Sequence, residues 1–338
     1  MIIRNHFPFS LETLRNHFSE ELKETVIPRE KLSLGIGLTS RCNFSCPMCY
    51  YHSSDGITAQ DMSIELLHKI LEGCGPFSSL IFAHQGEPFC HPHILEALEL
   101  ATDYCDNLSI ASNGSLLSPS VITRLRPMVF SNFFLSVDAG DNETYAFMRR
   151  GGSLSTFLRN AGRLVDTLGD VVQFYAVICE QNLHSLKKLP ILAAKTGVHT
   201  INFGQVRMHP YAQRAGISPA NDENTKYTLL EIAEASEKHG VQIQIDNFFG
   251  SRLLMQWSNS HILHRNISPE SFPYCSVPWT YTSILADGKL FPCCGDFQPE
   301  DIDIFSFDGV YNHQYLRYIR HYILSGHKLN SCVNCKNL

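Results

Sequence analysis

The sequence lacks the features that mark membrane-bound and secreted proteins. None of its apolar runs approaches the roughly 20 residues needed to cross a bilayer. The opening residues, Met-Ile-Ile-Arg-Asn-His, carry no signal-peptide hydrophobic region, and low-complexity segments and short repeats are absent. These absences predict a cytoplasmic protein with no membrane partner.

Positive charge is also scarce. The chain has 27 Lys and Arg residues against 33 Asp and Glu residues, a formal net charge of -6, and no run of basic residues. Because binding to a phosphate backbone needs a clustered Lys/Arg surface, this balance argues against a nucleic-acid partner. With 338 residues, of which 44% are hydrophobic, the chain has room for one large α/β domain and a smaller appendage.

Cysteine, in contrast, is abundant, with 12 residues. In a reducing compartment grouped thiols indicate metal binding rather than disulfides. Cys42, Cys46 and Cys49 form a C-x3-C-x2-C triad on one short segment. Three soft thiolates suit three corners of a cubane iron-sulfur cluster and leave its fourth iron open. A zinc site with His52 as the fourth ligand is the alternative.

Apolar and polar residues alternate over 32–38, which predicts a strand that ends just before the triad. Further strands are predicted at 79–83, 108–112, 132–137, 171–178 and 199–206, with a possible strand at 241–245. Helices are predicted at 10–24, 63–73, 92–104, 118–126, 153–168, 182–196 and 223–239. This alternation predicts a parallel α/β sheet, in which reactive residues gather at the carboxyl ends of the strands.

The triad after a first strand resembles that of the radical S-adenosylmethionine (SAM) superfamily. Gln85-Gly86-Glu87-Pro88 resembles the family's G-G-E-P segment, with Gln in place of the first Gly. Ser112-Asn113-Gly114 resembles its T-N-G element, and Ser136-Val137-Asp138 resembles its S-x-D element. Each of these motifs follows a predicted strand.

The resemblance implies a partial (β/α)6 TIM-like barrel and a particular set of cofactor contacts. Residues 1–31 would form an N-terminal extension, 32–250 the barrel, and 251–338 a linker with a small auxiliary domain. The triad would hold a SAM-binding [4Fe-4S] cluster. Arg149 would face the SAM carboxylate, with Arg150 as the fallback, and the remaining SAM contacts would be Tyr50, Gln85, Gly86, Glu87, Asn113 and Ser136.

The tail carries a second group of cysteines that resembles the twitch or SPASM-type extension of the same family. Cys275, Gly288 and Cys293 are followed by a C-x2-C pair, Cys332 and Cys335. The resemblance implies that the four cysteines hold a second, auxiliary [4Fe-4S] cluster, with the adjacent Cys294 spare or exchanged with Cys293. A zinc knuckle is the alternative for this region.

The same resemblance implies reductive cleavage of SAM by an external one-electron reductant of the flavodoxin or ferredoxin type. The 5'-deoxyadenosyl radical would then abstract hydrogen from a substrate carbon. Oxidation would need a base, for which the candidates are Asp138, His84, His209 and Asp246. Epimerisation would need a hydrogen donor, for which the candidates are Cys179 and Cys90.

The substrate is predicted to be polar, because Arg207, His209 and Tyr211 follow the sixth strand. A small metabolite or natural-product precursor, of the sugar or aminocyclitol type, is the leading prediction. The alternative is an enzyme that modifies a peptide or protein side chain. A non-catalytic iron-sulfur electron carrier is the alternative of another class.

Overall fold

The computed structural model describes residues 25–29, 32–49, 59–245, 262–264, 277–291 and 302–324. The predicted helix at 10–24 lies outside these ranges. So do several predicted site residues, namely Tyr50, His52, Asp246, Cys275, Cys293, Cys294, Cys332 and Cys335.

The described part of the chain forms one sheet of ten strands. The strands are β1 (Ser33–Ile36), β2 (Phe77–Phe82), β3 (Cys105–Ser112), β4 (Asn132–Ser136), β5 (Val172–Ile178), β6 (Thr200–Gln205), β7 (Gln242–Ile245), β8 (Ile262–His264), β9 (Tyr281–Ile284) and β10 (Leu290–Phe291). Their order is β10-β9-β1-β2-β3-β4-β5-β6-β7-β8. Neighbouring strands are parallel except for the β9/β10 pair.

The fold is therefore the predicted α/β class, a largely parallel sheet typical of a partial TIM barrel. Strands β1 to β6 match the six predicted strands, and β7 confirms the possible strand at 241–245. The two outermost strands, β8 and β10, are at opposite ends of the order, so the described strands make an open sheet.

Helices connect the parallel strands. They are α1 (Ile64–Cys74), α2 (Ile94–Thr102), α3 (Pro119–Leu125), α4 (Asn142–Met148), α5 (Leu154–Leu168), α6 (Leu183–Leu186), α7 (Leu189–Thr196), α8 (Pro210–Arg214), α9 (Asp222–His239), α10 (Val277–Thr280), α11 (Phe307–Tyr311) and α12 (Gln314–Leu324). The single helix predicted at 182–196 is split into α6 and α7, with Pro190 in the first turn of α7. Proline has no N–H to donate and fits only the first turn of a helix, which explains the break. No helix in the described ranges is long and apolar enough to cross a membrane.

Each strand sends one set of side chains to the helices and the other to the barrel interior, the space enclosed by the inner face of the sheet. In β5, Val172, Phe174 and Ile178 are buried, and the alternate residues Gln173 and Tyr175 are half-buried. The first set joins the main apolar core. The strand period of two thus separates an apolar outer face from a more polar inner one.

Polar side chains line the barrel interior toward the amino ends of the strands. Asn132 donates to Ser109 at 3.3 Å, Gln173 donates to Asn132 at 3.0 Å, and Asn202 donates to Gln173 at 2.9 Å. A cavity of about 470 Å³ lies beside this series, and its lining includes Ser33. TIM barrels usually fill this space with layers of branched apolar residues. Here serine and asparagine side chains share the cavity lining with Leu80, Ile81 and Phe134.

Part of the predicted auxiliary region belongs to the barrel sheet. Strand β9 pairs in parallel with β1, with Leu34 opposite Thr282, and β10 returns beside β9 after a turn in which Gly288 has φ +77°. The buried Arg320 of α12 donates to the carbonyls of Thr25 and Pro278. The domain boundary at 250 stays a prediction, but residues 281–291 extend the same sheet across it.

Candidate functional site

The cysteine triad lies on the loop that leaves the carboxyl end of β1. Cys46 is buried, and Cys42 and Cys49 are half-buried. The Ser45 N–H donates to the Arg150 carbonyl at 2.9 Å, and the Cys49 N–H donates to the Cys46 carbonyl at 3.1 Å. These bonds hold the loop against the segment after α4, and the three thiols lie near enough to interact electrostatically.

The thiols do not form a site for a single metal ion. No three His, Cys, Asp or Glu side chains within the described ranges converge in the way that one ion requires. A cubane cluster has a different requirement, because each thiolate binds a separate iron. The donor set of three soft sulfurs on one loop therefore fits a [4Fe-4S] cluster.

A glycine joins the cysteine loop to the loop after β2. The Glu87 N–H donates to the Arg41 carbonyl at 2.8 Å. Gly86 has φ +62°, and a Cβ at this position would overlap the carbonyl oxygens of Thr39 and Arg41. Glycine thus meets both the backbone conformation and the close approach that this contact needs.

Gln85, which stands where the family more often has glycine, has a structural partner of its own. It is buried, and its Oε1 accepts a hydrogen bond from the Ala286 N–H at 3.1 Å. Ala286 lies in the turn between β9 and β10. The departure from the family motif therefore links the β2 loop to the hairpin that borders β1.

The Glu87 carboxylate connects the loops after β2 and β3. It accepts hydrogen bonds from the Ser112 hydroxyl at 2.7 Å, the Asn113 N–H at 2.7 Å and the Phe89 N–H at 3.2 Å. Burial raises the pKa of Glu87, and these hydrogen bonds oppose the rise. Asn113 in turn donates through its side chain to Asn43 of the cysteine loop at 3.0 Å. The Glu87 side chain thus links the β2 loop to the β3 loop, which in turn contacts the cysteine loop through Asn113.

Asp138 and Arg149 form a buried ion pair beside the triad. Arg149 Nη2 lies 2.6 Å from Asp138 Oδ2, and the Val177 N–H donates to Asp138 Oδ1 at 2.7 Å. Arg149 also interacts with the Cys46 thiol. Burial lowers the pKa of Arg149, but the neighbouring Asp138 and Cys46 outweigh this effect and raise it. Its Nε is buried and finds no acceptor among the described residues. The pair leaves a donor beside the cysteine loop, as an anionic cofactor group would require.

Burial also controls the thiols. It raises the pKa of Cys42 to about 12 and that of Cys46 to about 11, although Arg149 partly offsets the rise at Cys46. The free thiols of Cys42 and Cys46 therefore stay protonated at neutral pH. Because a metal binds the thiolate, cluster assembly at this loop would release protons.

The other predicted contacts are distributed around the same edge of the sheet. Ser136 is half-buried at the end of β4, and Arg150 is exposed, so Arg149 rather than Arg150 is the arginine at the cysteine loop. Cys90 lies half-buried near that loop, with its sulfur 3.9 Å from Asn43 Oδ1. Arg207 is exposed after β6.

Two predicted catalytic groups have structural partners. Cys179 has no exposed surface, its sulfur lies 3.5 Å from Asn182 Oδ1, and burial raises its pKa to about 12. His209 is buried, accepts from the Ala212 N–H through Nδ1, and through Nε2 contacts the Met48 carbonyl at 3.1 Å. The catalytic roles of Cys179 and Asp138 stay predictions, and the burial of Cys179 does not favour its role as a hydrogen donor.

Sequence reasoning missed two residues that shape this region. Asn182 is fully buried and donates to the carbonyls of Asp138 and Val177 at 2.8 and 2.7 Å. Tyr281, on β9, bonds to His84 inside the barrel. Asparagine three residues after Cys179 resembles an ordinary turn, and no local pattern connects Tyr281 with a residue 197 positions away.

A cysteine loop, a glycine contact and a buried arginine meet at the carboxyl ends of parallel strands, an arrangement that fits an iron-sulfur enzyme on a partial α/β barrel. Residues 36–189 match the family model described as "Radical SAM superfamily". This stretch contains the triad and all the motifs after β2, β3 and β4. The stretch 36–189 is therefore a radical SAM region.

Similarity to known proteins extends beyond this stretch. The AdoMet-dependent heme synthase of Methanosarcina barkeri is 24% identical over 264 residues, which cover 76% of this chain and 74% of that protein. SuiB of Streptococcus suis, bound to precursor peptide SuiA, superposes with a TM-score of 0.63 and 17% identity over 91% of this chain and 73% of SuiB. The structure of anSMEcpe with bound AdoMet and Cp18Cys peptide gives a TM-score of 0.61 and 19% identity over 91% of this chain and 86% of that one. At these identities the structural likeness establishes the fold.

Proposed function

We propose that this radical SAM enzyme modifies a side chain of a peptide or protein. The observation that carries the proposal is the mixed lining of the interior cavity of about 470 Å³, which combines serines, asparagines and Tyr281 with Leu80, Ile81 and Phe134. Backbone amides of a bound peptide need hydrogen-bond partners once they leave water, and such a lining offers both donors and acceptors.

The chain's own residues divide the work of holding the cofactors. Cys42, Cys46 and Cys49 would hold a [4Fe-4S] cluster, while the loop at Gly86 and the Arg149 side chain would hold the amino and carboxylate groups of SAM. When bound, these cofactors supply a one-electron cleavage that yields a 5'-deoxyadenosyl radical able to take hydrogen from an unactivated carbon.

The protein residues supply orientation. Gly86 keeps the two loops in contact, Glu87 ties the β2 loop to the β3 loop, and Asp138 holds Arg149 in place through their ion pair. Fixed positions for the reacting groups reduce the entropy lost on the way to the transition state. An auxiliary [4Fe-4S] cluster on Cys275, Cys293, Cys332 and Cys335, and an external one-electron reductant, complete the proposal.

Peptide binding by two structural neighbours favours this substrate class over the sugar-type metabolite that the sequence placed first. SuiB was captured with a precursor peptide and anSMEcpe with Cp18Cys peptide, and both cover about nine tenths of this chain. The heme synthase supports a second candidate, a tetrapyrrole, because its similarity extends over 76% of the chain. Oxidation and epimerisation remain the two candidate outcomes.

Substrate-dependent release of 5'-deoxyadenosine separates these classes. Protein purified and reconstituted anaerobically is incubated with SAM, dithionite and one of three panels: synthetic peptides, sugars with aminocyclitols, or porphyrins. Peptides encoded beside this gene belong in the first panel. The proposal predicts stimulation and a mass change only with peptides. Stimulation confined to sugars or porphyrins overturns it, and failure of every sample to cleave SAM contradicts the radical chemistry itself.

A further inference from the structure

A histidine and a tyrosine from distant parts of the chain meet inside the barrel. His84 follows β2, Tyr281 begins β9, and the Tyr281 hydroxyl is hydrogen bonded to His84 Nε2. Their rings are tilted, with centroids 5.6 Å apart. Tyr281 also lines the cavity of the barrel interior, so the pair connects the cysteine-loop edge of the sheet with that polar space.

Gly35 provides the room for this pair. The neighbours Leu34 and Ile36 point into the outer apolar core, so the Gly35 position faces inward. A Cβ on Gly35 would overlap the Tyr281 hydroxyl and would come within 2.6 Å of His84 Nε2. Any larger residue at this point of β1 would push the two side chains apart.

A third residue bears on the direction of the hydrogen bonds. Ser283, two positions along β9, donates its hydroxyl proton to the Tyr281 oxygen at 3.0 Å. This arrangement favours donation by the Tyr281 hydroxyl to His84 Nε2. When Nε2 accepts, a neutral imidazole carries its proton on Nδ1.

The surroundings keep His84 neutral. Burial, together with the positive charge of Arg207, lowers the pKa of His84 to about 4. Among the described residues, Arg207 is the charge that acts on the ring, and it disfavours imidazolium. His84 keeps part of its surface exposed, and within the described residues it forms no hydrogen bond other than that with Tyr281.

We propose that Tyr281 fixes His84 as a neutral Nδ1–H donor inside the barrel, where it positions a carbonyl or carboxylate oxygen of the substrate. This inference rests on the proposed function for the identity of the substrate, and it assigns His84 a positioning role instead of the role of base. In this proposal His84 holds the peptide carbonyl, and Tyr281, which lies on β9 beside β1, holds His84.

The state of His84 is measured directly by imidazole nitrogen-15 NMR on the full chain, before and after cluster reconstitution and without substrate. The wild type is expected to show the Nδ1–H form at His84 with no titration between pH 5 and 8. Tyr281→Phe, which removes only the hydroxyl, and Gly35→Ala, which keeps both groups but separates them, are expected to give mixed tautomers. Protonation on Nε2 in the wild type, or titration near the ordinary value, overturns the proposal.

A second histidine-tyrosine pair serves as the matched control. His68 Nε2 and the Tyr104 hydroxyl lie 3.0 Å apart on the outer surface of the barrel. Tyr104→Phe makes the same chemical change away from the interior, so it should leave the His84 resonances unchanged. If Tyr104→Phe alters them as much as Tyr281→Phe does, the effect is global and the proposal fails.

The positioning role has its own readout with any peptide that passes the 5'-deoxyadenosine test. His84→Asn, chosen because asparagine tolerates the φ of +74° at this position, and Tyr281→Phe should raise KM about tenfold and leave kcat within about twofold. A fall in kcat with KM unchanged would assign His84 to proton transfer and overturn the positioning role. If no peptide is accepted the proposed function fails, and the NMR result still decides the state of His84.

Discussion

Replacement of Gly86 by alanine tests the contact between the two loops of the site most sharply. The substitution adds one methyl group to a backbone with φ +62° and drives it against the carbonyl oxygens of Thr39 and Arg41. A left-handed conformation costs a residue with a Cβ about 1–2 kcal/mol. Overlap with backbone atoms, which move only if the loop moves, adds about 1–3 kcal/mol.

Gly240 supplies a matched control for the backbone term. It has φ +66°, and its added Cβ would meet nothing within 4 Å. Gly240→Ala should therefore lower the free energy of unfolding by about 1–2 kcal/mol, and Gly86→Ala by about 2–5 kcal/mol. Urea unfolding of both variants, monitored by circular dichroism, measures the difference.

The same pair of variants carries a functional readout. If the Gly86 contact sets the distance between the cysteine loop and the β2 loop, Gly86→Ala should bind SAM more weakly after reconstitution and Gly240→Ala should bind it as the wild type does. Equal losses of stability in the two variants, or wild-type SAM affinity in Gly86→Ala, would refute the reasoning.

Three further changes test other contacts of the structure. Burial raises the pKa of Asp141, but hydrogen bonds led by that from Ser185 outweigh it and hold this pKa below its ordinary 3.8. The ionised carboxylate therefore stabilises the fold above that pH, and this contribution is lost as the pH falls further. Asp141→Ala should lower the free energy of unfolding by about 1–2 kcal/mol at pH 7, and a difference in urea unfolding that does not shrink below pH 4 contradicts this. Arg320→Met leaves three buried carbonyls without their donor and should cost at least about 3 kcal/mol by the same assay, with a smaller loss for Arg320→Lys. Glu87→Gln places an amide N–H₂ against the donor of either Ser112 or Asn113, so one of these hydrogen bonds is lost and the free energy of unfolding should fall by about 1–3 kcal/mol. A change below about 0.5 kcal/mol would show that the carboxylate is dispensable.

Much of the site was predictable because its motifs are local. The triad, the Gly86 segment and the Asn113 segment each follow an apolar run, and the carboxyl ends of parallel strands share one edge of a sheet. Strand period and strand order thus placed these residues together before any geometry was known.

Contacts between distant segments were not predictable. Arg149 was predicted to contact SAM and Asp138 to be a candidate base, and their ion pair emerges only when the segment after α4 folds back onto β4. The partners Gln85 and Ala286 are 201 residues apart, and their bond depends on a hairpin that joins β1 from the far end of the chain. The sequence pattern records which face of a strand is buried and carries no signal for which distant side chain meets it.

The central claim is that the N-terminal triad holds a cubane with one iron open to SAM. Electron paramagnetic resonance of the dithionite-reduced protein tests it most directly, in a variant with Cys275, Cys293, Cys294, Cys332 and Cys335 replaced by alanine so that only the triad cluster contributes. The account predicts a [4Fe-4S]⁺ signal that changes shape when SAM is added and disappears in Cys46→Ala. A spectrum that is indifferent to SAM, or the absence of a cluster signal from the intact triad, would contradict it.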